Sequence, residues 1–199
     1  MDPSHGYERV AAQFLAGRGG AKPGIGAATV RTWARALPPG AAVLDLGCGS
    51  GIPISQVLVE EGLIVNGVDA SPTLAAAFHR NFPDAPIACE AVEGSAFFNR
   101  SFDGIIAWGL VFLLSAKTQV DLLQRTAAAL RPGGRLLFTS PAQACTWKDA
   151  LTGRPSWSLG VEAYKEILVA AGLSLIGEYE DEGRNHYYDA VRQVPLQAR

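Results

Sequence analysis

The 199-residue chain has few of the residues that mark disulfide-bonded or metal-binding proteins: three cysteines, Cys48, Cys89 and Cys145, and three histidines, His5, His79 and His186, all widely spaced. An odd, scattered set of thiols excludes a disulfide framework and is most simply read as reduced, in a cytoplasm. With neither a C-x-x-C nor an H-E-x-x-H arrangement, no metal site is expected. Charge is also scarce, at 18% of residues, and 17 basic against 19 acidic side chains leave a net charge of -2. Nucleic-acid binding, which draws on a basic face, is therefore not expected. No run approaches the roughly 18 to 20 apolar residues of a membrane span, and the opening MDPSHGYERV lacks the basic patch and apolar stretch of a secretory signal. Internal repeats are absent. The hydrophobic share of 48% supports a core, and the length suits one domain. The surplus is in glycine, 22 residues or about a tenth of the chain against a usual share of roughly 7%.

Glycine and proline fall between short apolar runs throughout. Tyr7 to Gly17 reads as a helix stopped by Gly17-Arg18-Gly19-Gly20. Ile25 to Leu37 reads as a second helix, with Val30, Trp33, Ala34 and Leu37 on one stripe and Pro38-Pro39-Gly40 as its stop. From Ala41 the rhythm changes, because AAVLDL is a continuous apolar run of the kind a strand buried on both faces requires. A helix from about Ile52 to Glu61 and the run LIVNGVD, ending at Asp69, follow. Ser71 as N-cap and Pro72 at the first helical position predict a helix from Pro72 to about Asn81. Further strands are predicted at PIACE (Pro86 to Glu90), FDGIIAWG (Phe102 to Gly109) and GRLLFTS (Gly134 to Ser140). The helix VDLLQRTAAAL lies between the last two, closed by Arg131-Pro132-Gly133-Gly134. Such alternation predicts an α/β, three-layer Rossmann-like sandwich around a mostly parallel sheet. From Pro141 to about Gly160 no periodicity is clear. A helix (Val161 to Ala171), LSLIGEYE, the turn Asp181 to Asn185 and HYYDAV then predict an antiparallel hairpin at the sheet edge.

Glycines 47, 49 and 51 of VLDLGCGSG sit between the first strand and its helix, where the chain turns sharply and a ligand can approach bare backbone. Asp69 ends the second strand about twenty residues later, placed to accept hydrogen bonds from both hydroxyls of a ribose. The dinucleotide fingerprint G-x-G-x-x-G would need glycine where Ile52 stands, and Asp45 would repel a pyrophosphate while attracting an ammonium group. That weighs against a nicotinamide-dependent oxidoreductase.

Together, VLDLGCGSG, GVDAS, SFDGIIAWG and LRPGGRLLFTSP resemble the class I S-adenosylmethionine-dependent methyltransferases, over the chain from about Ala41 onward. The resemblance implies a seven-stranded sheet with its last strand antiparallel. It implies S-adenosylmethionine as cofactor, with Gly47 and Gly49 against the methionine end, Asp45 orienting its amino group and Asp69 clamping the ribose. Cys48, Pro53, Ala70, Trp108 and Gly109 complete the implied contacts, and Tyr7 matches an aromatic residue of an amino-terminal lid, assigned to residues 1–40 before a sheet core of 41–199. At the adenine step the expected Asp-Ala pair falls on Ala91 and Val92, leaving Glu90, Glu93 or a backbone carbonyl as acceptor for the adenine amine.

Methyl transfer from a sulfonium needs alignment more than covalent help, so the absence of a catalytic dyad does not argue against an enzyme. Three segments are expected to meet beyond the strand ends: Trp108-Gly109-Leu110 with Phe112, the loop Pro141 to Gly160, and the turn Asp181 to His186. They place Trp147, Trp157, His186, Tyr187 and Tyr188 as candidates for an aromatic pocket, each weighed against ordinary packing. His186, with a near-neutral reference pKa, is the candidate base, against a plain pairing with Asp181 or Glu182. Cys145 has no neighbouring histidine to activate it as a nucleophile. The expected partner is a small aromatic or amphipathic acceptor, with no nucleic acid or membrane involved. A non-catalytic, cofactor-binding regulatory module stands as the alternative.

Overall fold

The computed structural model describes residues 2–18 and 24–194, so the Gly19-Gly20 stop expected for the first helix lies outside them. The elements bearing on the site are α1 (Tyr7–Arg18), α2 (Ala27–Ala34), β1 (Ala42–Leu46), α3 (Ile54–Glu60), β2 (Ile64–Asp69), α4 (Pro72–Asn81), β3 (Ile87–Cys89) and β4 (Phe102–Ala107). They continue as α5 (Ala116–Ala129), β5 (Leu130–Thr139), β6 (Cys145–Lys148), β7 (Pro155–Ser158), α6 (Val161–Ala170), β8 (Leu173–Glu180) and β9 (His186–Arg192). Seven strands form one sheet in the order β3-β2-β1-β4-β5-β9-β8. The last strand, β9, runs antiparallel to both neighbours, β5 and β8, and the other pairs are parallel.

Pleating sorts the side chains onto two faces, since successive residues of a strand point to opposite sides. Val43, Val65, Ile106, Leu137 and Tyr187 pack with Val30 and Trp33 of α2, Ile54 and Leu58 of α3, and Phe78 of α4. Leu44, Ile105, Leu136, Phe138 and Tyr188 pack with Leu122 and Leu123 of α5 and Tyr164 and Leu168 of α6. The stripe predicted for α2 is the buried one, which makes α2 part of a helical layer of the sandwich. Of the described residues before β1, Pro3, Ser4, His5, Tyr7 and Phe14 line the cavity at the strand ends and no residue of α2 does.

Two expectations need correction. Arg131-Pro132-Gly133-Gly134 does not end a helix ahead of a separate strand: β5 already begins at Leu130, paired with Phe102, and the pairing resumes only at Gly104 with Arg135. The four residues form an irregularity inside the ladder. Gly134 permits it, because a Cβ there would lie 2.9 Å from the Arg131 carbonyl oxygen and 3.1 Å from that of Asp103. In the aperiodic stretch after Ser140, β6 and β7 form a small hairpin of their own. Its turn is organised by Asp149, whose Oδ1 accepts from the Leu151 and Thr152 amides at 3.1 and 2.7 Å and from the Thr152 hydroxyl at 2.8 Å.

Candidate cofactor and acceptor cavity

Strand order reverses between β1 and β4, and beyond their carboxyl ends the chain leaves the crevice expected of an open α/β sheet. The turn after β1 is held from β2. The Val68 carbonyl accepts from the Gly47 and Cys48 amides at 2.8 and 3.2 Å. Asp69 Oδ2 accepts from the Gly49 amide at 2.8 Å, and its Oδ1 from the Ser71 amide at 2.8 Å. Asp69 thus ties the glycine turn to the start of α4, while Ser71 separately caps that helix by accepting from the Leu74 amide at 3.2 Å. Of the three glycines, Gly47 and Gly49 line the cavity and Gly51 does not. With φ +80° and a would-be Cβ only 2.3 Å from the Phe82 ring, Gly51 is required for packing.

Of the acidic pair, Asp45 is buried and Asp69 half-buried. Pleating turns Asp45 toward α3, where the Ser55 hydroxyl donates to its Oδ2 at 2.5 Å. Burial pushes the Asp45 carboxyl up to about 7; the Ser55 hydrogen bond opposes the shift and the charge of Asp69 adds to it. Burial also raises Asp69, against the two backbone hydrogen bonds that favour its charged form. A buried and a half-buried carboxylate with no cationic side chain paired to either among the described residues form a site that a cationic group would relieve. The Cys48 thiol, buried beside them, is pushed well up by desolvation and is unsuited to act as a thiolate.

The cavity measures about 250 Å³ and contains most of the cofactor contacts the sequence suggested: Tyr7, Asp45, Gly47, Cys48, Gly49, Asp69, Ala70, Val92, Glu93, Trp108 and Gly109. Pro53 and Ala91 are not in its wall. Pro53 begins α3 and packs toward Gly24, and the carbonyl of Ala91 accepts from the Gly94 amide. Glu90 is exposed and outside the cavity. The Val92 and Glu93 carbonyls accept from Arg125 Nη1 at 2.8 and 2.9 Å, and Glu93 Oε1 lies 3.0 Å from His5 Nε2.

Sequence reasoning missed the part of the wall that precedes and includes α1: Pro3, Ser4, His5 and Phe14. A signal existed for Phe14, seven residues after Tyr7 and hence on the same helical face; the two rings meet edge-on at 5.8 Å. This segment is fastened to three separate loops. Glu8 accepts from the Ser71 hydroxyl and from the Thr73 amide and hydroxyl, at 3.2 and 2.7 Å for Thr73. Tyr7 Oη donates to Asp149 at 3.2 Å, Asp2 pairs with Arg154 at 3.1 Å, and His5 meets Glu93.

Beyond Gly109 the wall is Trp108, Leu110, Phe112, Leu113 and Asn185. The other aromatic candidates sit behind it. Trp147 packs against Phe112 with the rings tilted and centroids 5.3 Å apart, Tyr187 receives the Trp108 indole N–H at 2.6 Å, and Tyr188 stacks on Phe138 in the core. Trp157 lies on β7, and Cys145 is exposed on β6. His186 is also outside the cavity. It lies edge-on to Tyr188, with Nε2 3.4 Å from Glu178 rather than paired with Asp181 or Glu182, because as the first residue of β9 it shares the Tyr188 face. The turn instead presents Asn185. Among the described residues there is no cluster of metal-ligating side chains and no helix long and apolar enough to cross a membrane.

Residues 43–134 match the family described as "Methyltransferase domain". The tRNA U34 carboxymethyltransferase of Hahella chejuensis is 32% identical over 116 residues, covering 53% of this chain and 35% of that protein. The chain thus spans about a third to a half of the length of the curated relatives it matches. Among solved structures, the 1,6-didemethyltoxoflavin-N1-methyltransferase of Burkholderia thailandensis, with bound 1,6-didemethyltoxoflavin and S-adenosylhomocysteine, superposes with a TM-score of 0.68 at 21% identity. It covers 96% of this chain and 91% of its own. The [4+2]-cyclase SpnF superposes with a TM-score of 0.75 at 16% identity, covering 98% and 97%. These likenesses establish the fold; the chemistry has to be argued from the site.

Proposed function

We propose that the chain is a class I S-adenosylmethionine-dependent methyltransferase, a reading supported by the methyltransferase-domain match over residues 43–134, and that it transfers a methyl group from S-adenosylmethionine to a small-molecule acceptor. The observation that carries this reading is a pair of carboxylates, the buried Asp45 and the half-buried Asp69, flanking the bare backbone of Gly47 and Gly49 in one cavity. The donor set fits the cofactor. Asp45 would attract the ammonium of its methionine end, Asp69 would offer lone pairs to its ribose hydroxyls, and Val92 and Glu93 of the same cavity would meet its adenine. A pyrophosphate would meet the same carboxylates with repulsion.

Bound S-adenosylmethionine would supply an electrophilic methyl carbon, and Asp45, Gly47, Gly49 and Asp69 would hold it in the cavity. The protein's task is to align and to exclude water. Trp108, Leu110 and Phe112 supply an apolar wall for the acceptor. Residues 2–18 act as a lid: Phe14 closes over Gly49, and the contacts of Asp2, His5, Tyr7 and Glu8 hold the helix in place. An acceptor enclosed under that lid is small, and the net charge of -2 gives no attraction to a polyanion. His186 has no direct route to such an acceptor, so we assign it no proton transfer. The unpaired thiols of Cys89 and Cys145, both exposed, favour a cytoplasmic setting.

Calorimetric titration with S-adenosylmethionine is the first test. Saturable one-to-one binding is expected, followed by S-adenosylhomocysteine release with a panel of aromatic acceptors. Intact, folded protein that binds neither S-adenosylmethionine nor S-adenosylhomocysteine would sink the proposal, and binding without turnover on any acceptor would favour the regulatory module.

A further inference from the structure

The amide of Asn185 is not free to choose which end it presents to the cavity. Its Nδ2 donates to both carboxylate oxygens of Asp181, at 3.1 and 2.9 Å, and because a carboxylate only accepts, the nitrogen is fixed on that side. Its backbone is committed as well: the N–H donates to Asp181 Oδ1 at 2.9 Å and the carbonyl accepts from the Asp181 amide at 3.1 Å. What Asn185 has left for a ligand is Oδ1, an acceptor.

The neighbouring donors are spent in the same direction. Trp108 gives its single N–H to Tyr187 Oη at 2.6 Å, Tyr187 passes its own proton to Asp181 Oδ2 at 2.8 Å, and the Gly109 amide donates to Thr139 Oγ1 at 2.8 Å. Burial and the Asp181 hydrogen bond push the Tyr187 phenol well up, so it remains a donor toward Asp181. Among the described side chains, this end of the cavity therefore offers ring faces, aliphatic groups and one fixed hydrogen-bond acceptor, backed by a carboxylate.

We propose that Asn185 determines acceptor specificity: its Oδ1 receives a hydrogen bond from the O–H or N–H that is to be methylated, on an uncharged aromatic molecule lying against Trp108 and Phe112. The bond would hold the nucleophilic atom while leaving its lone pair for the methyl group. Among the described side chains at this end an anionic acceptor finds no free donor, and it meets the field of Asp181. This inference rests on the methyl-transfer reading and sharpens it.

The test uses protein first shown to bind S-adenosylhomocysteine and then saturated with it. Three probes of one shape are titrated at pH 7: 2-naphthol, which carries a donor; 2-methoxynaphthalene, which carries none; and 2-naphthoate, which is anionic. We expect 2-naphthol to bind at least about tenfold more tightly than either of the others. In Asn185→Ala, with S-adenosylhomocysteine affinity retained, 2-naphthol should fall to the level of the methoxy compound. Should Asn185→Ala not fold, the ranking in the unaltered protein decides alone. Equal binding of the three, preference for the naphthoate, or no binding of any overturns the inference. Failure to bind S-adenosylhomocysteine at the first step instead overturns the methyl-transfer reading.

Discussion

Burial with no cation alongside sets the Asp45 carboxyl at about 7 against an ordinary 3.8, so the folded protein holds a proton there that the unfolded chain has already released at neutral pH. A carboxyl raised on folding contributes its stability below the unfolded value and loses it as pH rises through the folded one. The difference amounts to on the order of 4 kcal/mol of stability forgone above pH 7. Asp45→Asn should therefore raise the melting temperature relative to the parent increasingly between pH 4 and 8, with little difference at the acid end. Cofactor affinity should move the other way. An ammonium partner favours the ionised carboxylate, so the parent should bind S-adenosylmethionine more tightly as pH rises from 6 to 8. The Asn variant should lose that pH dependence and about 30-fold in affinity, or more, for the roughly 2 kcal/mol or more that loss of a buried charge partner costs. Melting scans and calorimetry across that range check both; a variant less stable than the parent at pH 8, or one that keeps the slope, would contradict the assignment. Asp45 and Asp69 were legible from sequence because a carboxylate beside a glycine turn, and another ending an apolar strand, have few packing reasons to be there. What sequence could not show is that Asp69 also holds the turn, through the amides of Gly49 and Ser71, or that Gly51 serves packing while Gly47 and Gly49 serve the cavity.

The element that closes the cavity, α1, is fixed by side chains and not by a deep core. Glu8 is its anchor on α4, and the hydrogen bonds from Ser71 and Thr73 hold its carboxyl below the usual range. A lowered carboxyl keeps its contribution above its unfolded value of 4.5 and loses it only as pH falls through the folded one, so the anchor is intact throughout the neutral range. Glu8→Gln is expected to speed amide exchange across Tyr7–Arg18 and weaken S-adenosylmethionine binding while leaving exchange in β1 and β4 unchanged. Unaltered exchange in α1 would show that the remaining contacts suffice. Element boundaries were readable where local chemistry is strong. The Ser71-Pro72 pair gave α4 its start, and the β8–β9 hairpin followed from its turn residues. They were not readable where long-range pairing decides. The Arg131 to Gly134 run looks like a helix stop, yet Asp103 receives the Arg131 guanidinium at 2.6 Å and draws the run into the ladder beside β4. The β6 and β7 strands of four residues each are too short to show a period, and depend on the Asp149 turn. His186 illustrates the same limit: a one-residue change of position at a strand start exchanges a cavity residue, Asn185, for one packed on Tyr188.

For the molecule as a whole, alternation of short apolar runs and helices anticipated the layers and the Asp181 to Asn185 turn the reversed strand, while the seven-stranded sheet was implied by the resemblance. The acceptor was not legible, since its wall is assembled from segments far apart in the chain: the end of β4, the lid and the turn before β9. That construction couples binding to the stability of the entire fold. A ligand that touches the β1 turn, β2, the loop after β3 and α1 at once can bind only when all four are in place, so it stabilises the folded state by mass action. At a hundred times its dissociation constant, S-adenosylhomocysteine should add about 2.7 kcal/mol, which for a chain of this size raises the melting temperature by roughly 5 to 11 °C. NADH at the same concentration should leave it unchanged, because its pyrophosphate has no place beside Asp45. The two effects of S-adenosylhomocysteine should also appear together: wherever the melting temperature rises, proteolysis in α1 should slow in proportion. A stabilised protein whose α1 is cleaved as fast as before would show that the ligand is held by the sheet alone and that the helix is not its lid.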